Sequence, residues 1–287
     1  SLQFDSLTAI KTVNFEALPK LQTLGFTKGV SKADRVRITN TDLTSLSGIA
    51  LEGVTDMEIT NNPHLTEVNV NQITNATGYI NFAANHKDLK INFPNLQSAH
   101  NMTFRNTSSV SIPSLEKMDG LLGFYSNFFM DFTASNLTGT GDLVFADNSN
   151  LNNISLPVLK TVKGAFQVAN NTNLKAIDGV PKLQTVNGAL DFSGKFNKVK
   201  LPGLKEVRGD TNVQSTETFG CEPFEEFKSE DVIRGKLTCR EKQEKPQSGD
   251  DTDGGDDDST SSGAADPFAQ APAGLLIGLL GTLQFLL

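Results

Sequence analysis

One apolar position returns ten times along this chain, as Phe15, Ile38, Ile59, Phe82, Phe104, Phe124, Phe145, Val168, Phe192 and Val213, at intervals of 20 to 24 residues. A second apolar ladder follows five to seven residues after each rung, at Leu21, Leu43, Leu65, Leu89, Val110, Phe129, Leu151, Leu174 and Val199. A single compact core does not generate so regular a pattern. A period near 22 lies in the range of leucine-rich and related solenoids, where each repeat is one supersecondary unit that buries its apolar face only against its neighbours.

The first ladder sits in alternating runs such as Gly164-Ala165-Phe166-Gln167-Val168 and Gly188-Ala189-Leu190-Asp191-Phe192. Alternation of this kind predicts strands with every second side chain inward, and stacking them coil on coil predicts a parallel sheet. Each coil returns through a Leu-Pro-x-Leu type segment, clearest at Phe93 to Leu96, Ile112 to Leu115, Leu156 to Leu159, Val180 to Leu183 and Leu201 to Leu204. An asparagine follows the first ladder by two or three residues in seven successive coils: Asn40, Asn61 with Asn62, Asn85, Asn106, Asn127, Asn148, and Asn170 with Asn171; Gly194 stands there in the next. Asn and Gly both tolerate left-handed backbone, so this column marks the corner at which each coil leaves its strand, and stacked amides there are placed to bond neighbouring coils. The expected fold is mainly β, a parallel β-solenoid of about ten coils. Large apolar side chains stabilise by about 1.5 to 3 kcal/mol each on burial, before ordering entropy is subtracted, so two per coil sustain a long core.

The residues flanking the first ladder face outward. One column reads Asn14, Arg37, Glu58, Asn81, Thr103, Gly123, Val144, Gln167, Asp191 and Asn212; the other reads Glu16, Thr39, Thr60, Ala83, Arg105, Tyr125, Ala146, Ala169, Ser193 and Gln214. A glycoside hydrolase needs two carboxylates roughly 5 to 10 Å apart, on the same or adjacent coils. The first column holds only Glu58 and Asp191, six coils apart, and Glu58 neighbours Arg37 as an ion-pair partner. His64, His86 and His100 fall at or after corners without metal-ligand spacing, and the chain carries no phosphate loop, nucleophile elbow or CxxC. No catalytic residue, metal or cofactor is therefore assigned. If the sheet face takes a ligand, Arg105 and Tyr125 on adjacent coils are its candidate anchors.

Beyond the solenoid the character changes. Cys221 and Cys239 bracket a segment containing Phe224, Phe227, Ile233 and Leu237, and the pair suits one disulfide in an oxidising compartment, worth about 3 kcal/mol. The division expected is a solenoid over 1–218, a disulfide-bonded cap over 219–240, a disordered acidic stalk over 241–262 and an apolar terminal signal over 263–287. Six aspartates, Asp250, Asp251, Asp253, Asp256, Asp257 and Asp258, carry most of the net charge of −8, so the rest is almost neutral, which argues against a nucleic-acid partner; no nucleotide motif occurs either. Small residues lead through a spacer into the apolar stretch Gly274 to Leu287, the order of a GPI-attachment signal with Ser262 or Gly263 as the attachment residue. As a helix that stretch reaches only roughly 21 Å, short of a bilayer core of about 30 Å. Six Asn-x-Ser/Thr sequons, at Asn75, Asn101, Asn106, Asn136, Asn153 and Asn170, fit the same extracellular address.

Several segments, in order, carry a resemblance: Ser1-Leu2-Gln3-Phe4-Asp5-Ser6-Leu7, Leu18 to Phe26, Val36-Arg37-Ile38-Thr39-Asn40-Thr41 and the Cys221 to Cys239 module. Together with the tail, the chain resembles the fungal GPI-anchored cell-wall organisation proteins of the yeast extracellular-mutant and sporulation-specific type. The resemblance implies a receptor L-domain-like, right-handed solenoid and an N-glycosylated mannoprotein without known catalytic activity. It also implies a GPI lipid in the outer leaflet of the plasma membrane, or attachment to the wall, with wall glucan and mannoprotein as partners and wall integrity as the role. The runner-up is a recognition ectodomain that binds a wall glycan or protein on the sheet face. Relatives carry a leader and a cysteine-bearing first coil, so Ser1 is expected to lie inside the domain, with the first coil uncapped.

Overall fold

The alternating runs form short strands, and each pairs in parallel, one coil apart, with the next. The computed structural model describes residues 2–249. Across them the principal sheet consists of Thr12–Leu18, Arg35–Thr41, Asp56–Thr60, Asn75–Ala83, Ser98–Arg105, Leu122–Tyr125, Leu143–Ala146, Phe166–Ala169, Leu190–Gly194, Thr211–Ser215 and Leu237–Arg240. The apolar ladder stands in one register from Phe15 opposite Ile38 to Phe192 opposite Val213. The last strand adds an eleventh rung to the ten expected, because Cys239 continues the ladder beside Val213.

Two further sides close each coil. Short parallel pairs such as Glu67–Asn69 with Lys90–Asn92, and Asp131–Thr133 with Asn153–Ser155, line the second side. Two-residue strands such as Thr161–Val162 and Thr185–Val186 line the third. Between these sides the Leu-Pro-x-Leu segments are tight turns: Leu159 N–H donates to Leu156 C=O at 3.2 Å and Leu204 N–H to Leu201 C=O at 3.1 Å. Proline sits second in each turn, where its fixed φ suits the turn and its missing donor is not needed. Inside, the rings of Phe82, Phe104, Phe124 and Phe145 stack face to face, with centroids 6.0, 5.5 and 4.9 Å apart and planes within 15°.

The asparagine column resolves into two columns one residue apart. Ala17, Asn40, Asn61, Ala84, Asn106, Ser126, Asp147 and Asn170 take the left-handed conformation, with φ between 51° and 59°. Apart from the exposed Leu18, the residue after each turns toward the interior or its edge, and Asn62, Asn127, Asn148 and Asn171 are buried there. Asn148 shows the pattern. Its Oδ1 accepts from both the backbone N–H and the side-chain Nδ2 of Asn127 at 2.9 and 3.0 Å, and its Nδ2 donates to Phe124 C=O at 3.1 Å. Asn62 and Asn85 repeat the arrangement, and Thr41 and Thr107 each bond the asparagine that follows. The two roles expected of these asparagines thus fall to different positions: one column bends the chain, and in the next the stacked amides bond neighbouring coils and satisfy buried backbone groups that the bend orphans.

At the C-terminal end, Cys221 is bonded to Cys239, with Cα atoms 6.0 Å apart. The helix Glu222–Ser229 lies over the last coil with Phe224 buried, its ring 6.3 Å from Phe219 and 6.2 Å from Phe227. Lys228 Nζ donates to the carbonyls of Ile233, Arg234 and Gly235, tying the helix to the turn that leads into the final strand. Residues 241–249 depart from the expectation of a free stalk beginning at 241. Glu241 Oε1 accepts the backbone N–H groups of Phe219 and Gly220, and Gln243 N–H donates to Ser215 C=O at 2.9 Å. Polar composition alone suggested solvation, but these polar groups find partners on the solenoid. The rest of that segment, with the acidic run, Ser262, Gly263 and the apolar terminus, lies outside the described residues.

Candidate ligand face of the sheet

Strand register aligns the outward residues into the two columns that alternation predicts, from Asn14 opposite Arg37 to Asp191 opposite Asn212. At the N-terminal end the chemistry is charged. Arg37 bridges Glu16 at 2.9 Å and Glu58 at 3.3 Å across three coils, and Arg35 pairs with Asp56 at 3.1 Å. Burial pushes the Tyr79 hydroxyl above its ordinary pKa, and the negative charges of Glu58 and Asp56 add to the shift.

Arg105 and Tyr125, the anchors expected from sequence, meet in the middle of the face, where the guanidinium carbon lies 4.0 Å from the ring centroid. Such a contact is worth about 0.5 to 1 kcal/mol at an exposed site. The Tyr125 ring lies over Gly123, whose missing side chain makes the space: a Cβ there would meet the ring at 2.6 Å.

Toward the C-terminal end the outward column turns into a row of amides around one carboxylate. Gln167 Nε2 donates to Asp191 Oδ2 at 3.1 Å, Asn212 Nδ2 to Asp191 Oδ1 at 2.8 Å, and Gln214 Nε2 to Asn212 Oδ1 at 2.9 Å. All four side chains are buried, although they face away from the core. Gln247 and Ser248 sit on them. Ser248 Oγ accepts from Gln167 Nε2 at 2.7 Å and donates to Asp191 Oδ2, while Gln247 C=O accepts from Asn212 Nδ2 at 2.8 Å. Sequence reasoning placed these residues outward but singled out none as a site. The signal was three consecutive polar residues in one column, each able to bond the next.

The carboxylates are engaged rather than paired for acid–base work: Glu58 holds Arg37, and Asp191 is locked among amides. His64 and His86 lie 3.7 and 3.8 Å from Asp42 and Asp88, and His100 is exposed. Among the described residues, no group of three or more His, Cys, Asp or Glu is placed to hold a metal, and no helix is long and apolar enough to cross a membrane.

Of the sequon asparagines, Asn75, Asn136, Asn153 and Asn170 are exposed. Asn101 and Asn106 are half-buried: Asn101 Oδ1 accepts Leu121 N–H at 2.8 Å, and Asn106 Nδ2 reaches Ser126 C=O at 3.4 Å. None of the six stands in the outward columns of the principal sheet.

The chain is 64% identical over 267 residues to a cell surface GPI-anchored protein of Arthroderma benhamiae, covering 93% of this chain and 69% of the relative. It is 48% identical over 265 residues to protein ecm33 of Aspergillus fumigatus, covering 92% and 66%. Sporulation-specific protein 2 of Saccharomyces cerevisiae is 31% identical over 243 residues, covering 83% and 48%. The chain thus spans about two thirds of the first two relatives and about half of the third. It matches no family model and no solved structure.

Proposed function

The chain belongs to the fungal family of GPI-anchored cell-surface and cell-wall proteins related to ecm33, and from that premise we propose that it is a non-enzymatic surface mannoprotein that organises the cell wall. The observation that carries this reading is relatedness along four fifths or more of the chain to proteins named for the cell surface and wall. The geometry supports it. The solenoid is a stack of coils whose sheet-face carboxylates serve ion pairs and amide networks, which suits display and contact better than bond breaking.

In this reading a GPI lipid joined at Ser262 or Gly263 holds the protein at the outer face of the plasma membrane, or the protein passes on to wall glucan. The acidic run from Asp250 is a self-repelling spacer. Glycans extend from the exposed Asn75, Asn136, Asn153 and Asn170, whereas Asn101 and Asn106 are half-buried and offer a glycan less access. Asn75 and Asn101 lie in principal-sheet strands, and the strands of that sheet from Leu122 onward hold no sequon. One observation favours the second reading, recognition on that sheet: the outward row around Asp191 is a built polar network and not a scatter of solvated side chains.

The test is treatment of intact fungal cells expressing the parent protein with phosphatidylinositol-specific phospholipase C. Release of an endoglycosidase-sensitive protein is the expected result for the membrane form. Release by β-glucanase alone identifies the wall-linked form, and release by neither, with the C-terminal peptide still attached, rejects the anchor.

A further inference from the structure

We propose that the row Gln167–Asp191–Asn212–Gln214 is a binding site for a neutral, hydroxyl-rich polysaccharide, and that the chain's own Gln247–Ser248 occupies it as an internal stand-in. The proposal deepens the recognition reading above and supplies its ligand class and its gate.

The stand-in shows what the row recognises. Ser248 presents a hydroxyl that accepts from the Gln167 amide and donates to the Asp191 carboxylate. An amide donor beside a carboxylate acceptor is the pairing that a sugar hydroxyl, donor and acceptor at once, satisfies fully. One coil on, Asn212 donates to a carbonyl oxygen, and Gln214 Oε1 accepts Gln247 N–H at 3.3 Å. Donors and acceptors therefore recur along the solenoid axis at the strand spacing of about 4.8 Å, a fixed repeat that suits a polymer bearing hydroxyls on every unit.

A second observation points to a ligand other than the strap. Ser193, in the adjacent outward column, is only 2% exposed, yet its hydroxyl has no hydrogen-bond partner. Buried hydroxyls are seldom left so, and the strap does not satisfy this one. A ligand richer in hydroxyls than a peptide can. Peptide side chains would meet no apolar recess in the row itself, which is made of amides, a carboxylate and hydroxyls. Two and three coils away, Tyr125 and Arg105 extend the face beyond the strapped row.

Because the strap and the polymer use the same groups, they compete. The apparent affinity of the closed protein is reduced by the fraction of molecules with the strap open. Removing the Ser248 hydroxyl should raise that fraction.

The experiment titrates the purified full chain with two probes, a linear β-1,3-gluco-oligosaccharide and a manno-oligosaccharide, by calorimetry, with hydrogen exchange of residues 241–249 recorded alongside. Ser248→Ala is expected to speed exchange in the strap and to tighten binding of one probe about tenfold. Whichever probe binds identifies the polymer. Adding Asp191→Ala, or Gln167→Ala if the former unfolds, should abolish that gain. Faster exchange with no binding of either probe overturns the site, as does binding unaffected by loss of Asp191 or Gln167. Unchanged exchange in Ser248→Ala overturns the gate. None of these results bears on surface anchoring, which the lipase release tests separately.

Discussion

The two ends of the principal sheet share one backbone, one register and one inward ladder, yet they treat the same outward column in opposite ways. Near the N-terminal end, Arg37 and Glu58 of this column, with Glu16 of the column beside it, form ion pairs with side chains 44%, 26% and 52% exposed. Near the C-terminal end, Gln167, Asp191 and Asn212 exchange hydrogen bonds and are buried. A solenoid lets surface chemistry change from coil to coil at no cost to the scaffold, because the scaffold is held by the inward side chains and the corners. The energetic weight of an outward residue is then set by what covers it. Charges in water contribute little, whereas buried polar groups are costly to leave unpaired.

The comparison can be broken hardest at the cap. Cys239 is both the disulfide partner and the last ladder residue, so Cys239→Ser should cost about 2 to 5 kcal/mol and loosen the C-terminal coils first. Hydrogen exchange should show lost protection around Thr211–Ser215 with the N-terminal coils unchanged; uniform loss would mean the ends are not separable. Asn148→Ala comes next. It strands the Asn127 amide and a backbone carbonyl in the interior, and a loss of about 2 to 3 kcal/mol in chemical denaturation is expected.

A paired measurement addresses the two halves of the column directly. Asp191→Ala removes the acceptor for Gln167, Asn212 and Ser248 and should cost about 1 to 2 kcal/mol, whereas Glu58→Ala should cost less than about 1 kcal/mol and vanish in high salt. Equal effects would refute the contrast.

The smallest effect concerns pH. The Glu206 carboxyl lies below its ordinary pKa because Arg208 donates a hydrogen bond to it, and the charges of Arg208 and Arg234 add to the shift. A depressed folded-state pKa means that its contribution is present above the ordinary carboxylate range and fades as the pH falls through the lowered value. Glu206→Gln should remove that slope from a pH series of melting temperatures, and a slope that persists would assign it to other carboxylates.

Much of the fold was legible because its signals are local and repeated. The phase of the ladder settles which side chains enter the core, and alternation then assigns the outward columns, including Arg105, Tyr125 and Asp191. The asparagines were harder. Asn40 and Asn85 look alike in sequence, but the first turns the corner in left-handed backbone and the second donates to Ile59 C=O at 2.8 Å. One residue of phase separates these jobs, and Ala84, Ser126 and Asp147 fill the corner position as well, so residue type did not mark it. Cys239 was readable as a disulfide partner but not as an eleventh rung, because the cap helix interrupts the period before it.

By itself the sequence determined the coil period, the parallel stacking and the direction of each strand side chain, since apolar burial at a fixed repeat admits one arrangement. Tertiary structure alone decided that the polar row around Asp191 is covered, and by what. Ser248 meets Gln167 from 81 positions away. A contact between two polar segments so far apart leaves no periodic trace, because hydrogen bonds reward particular geometry where hydrophobic burial rewards only pattern.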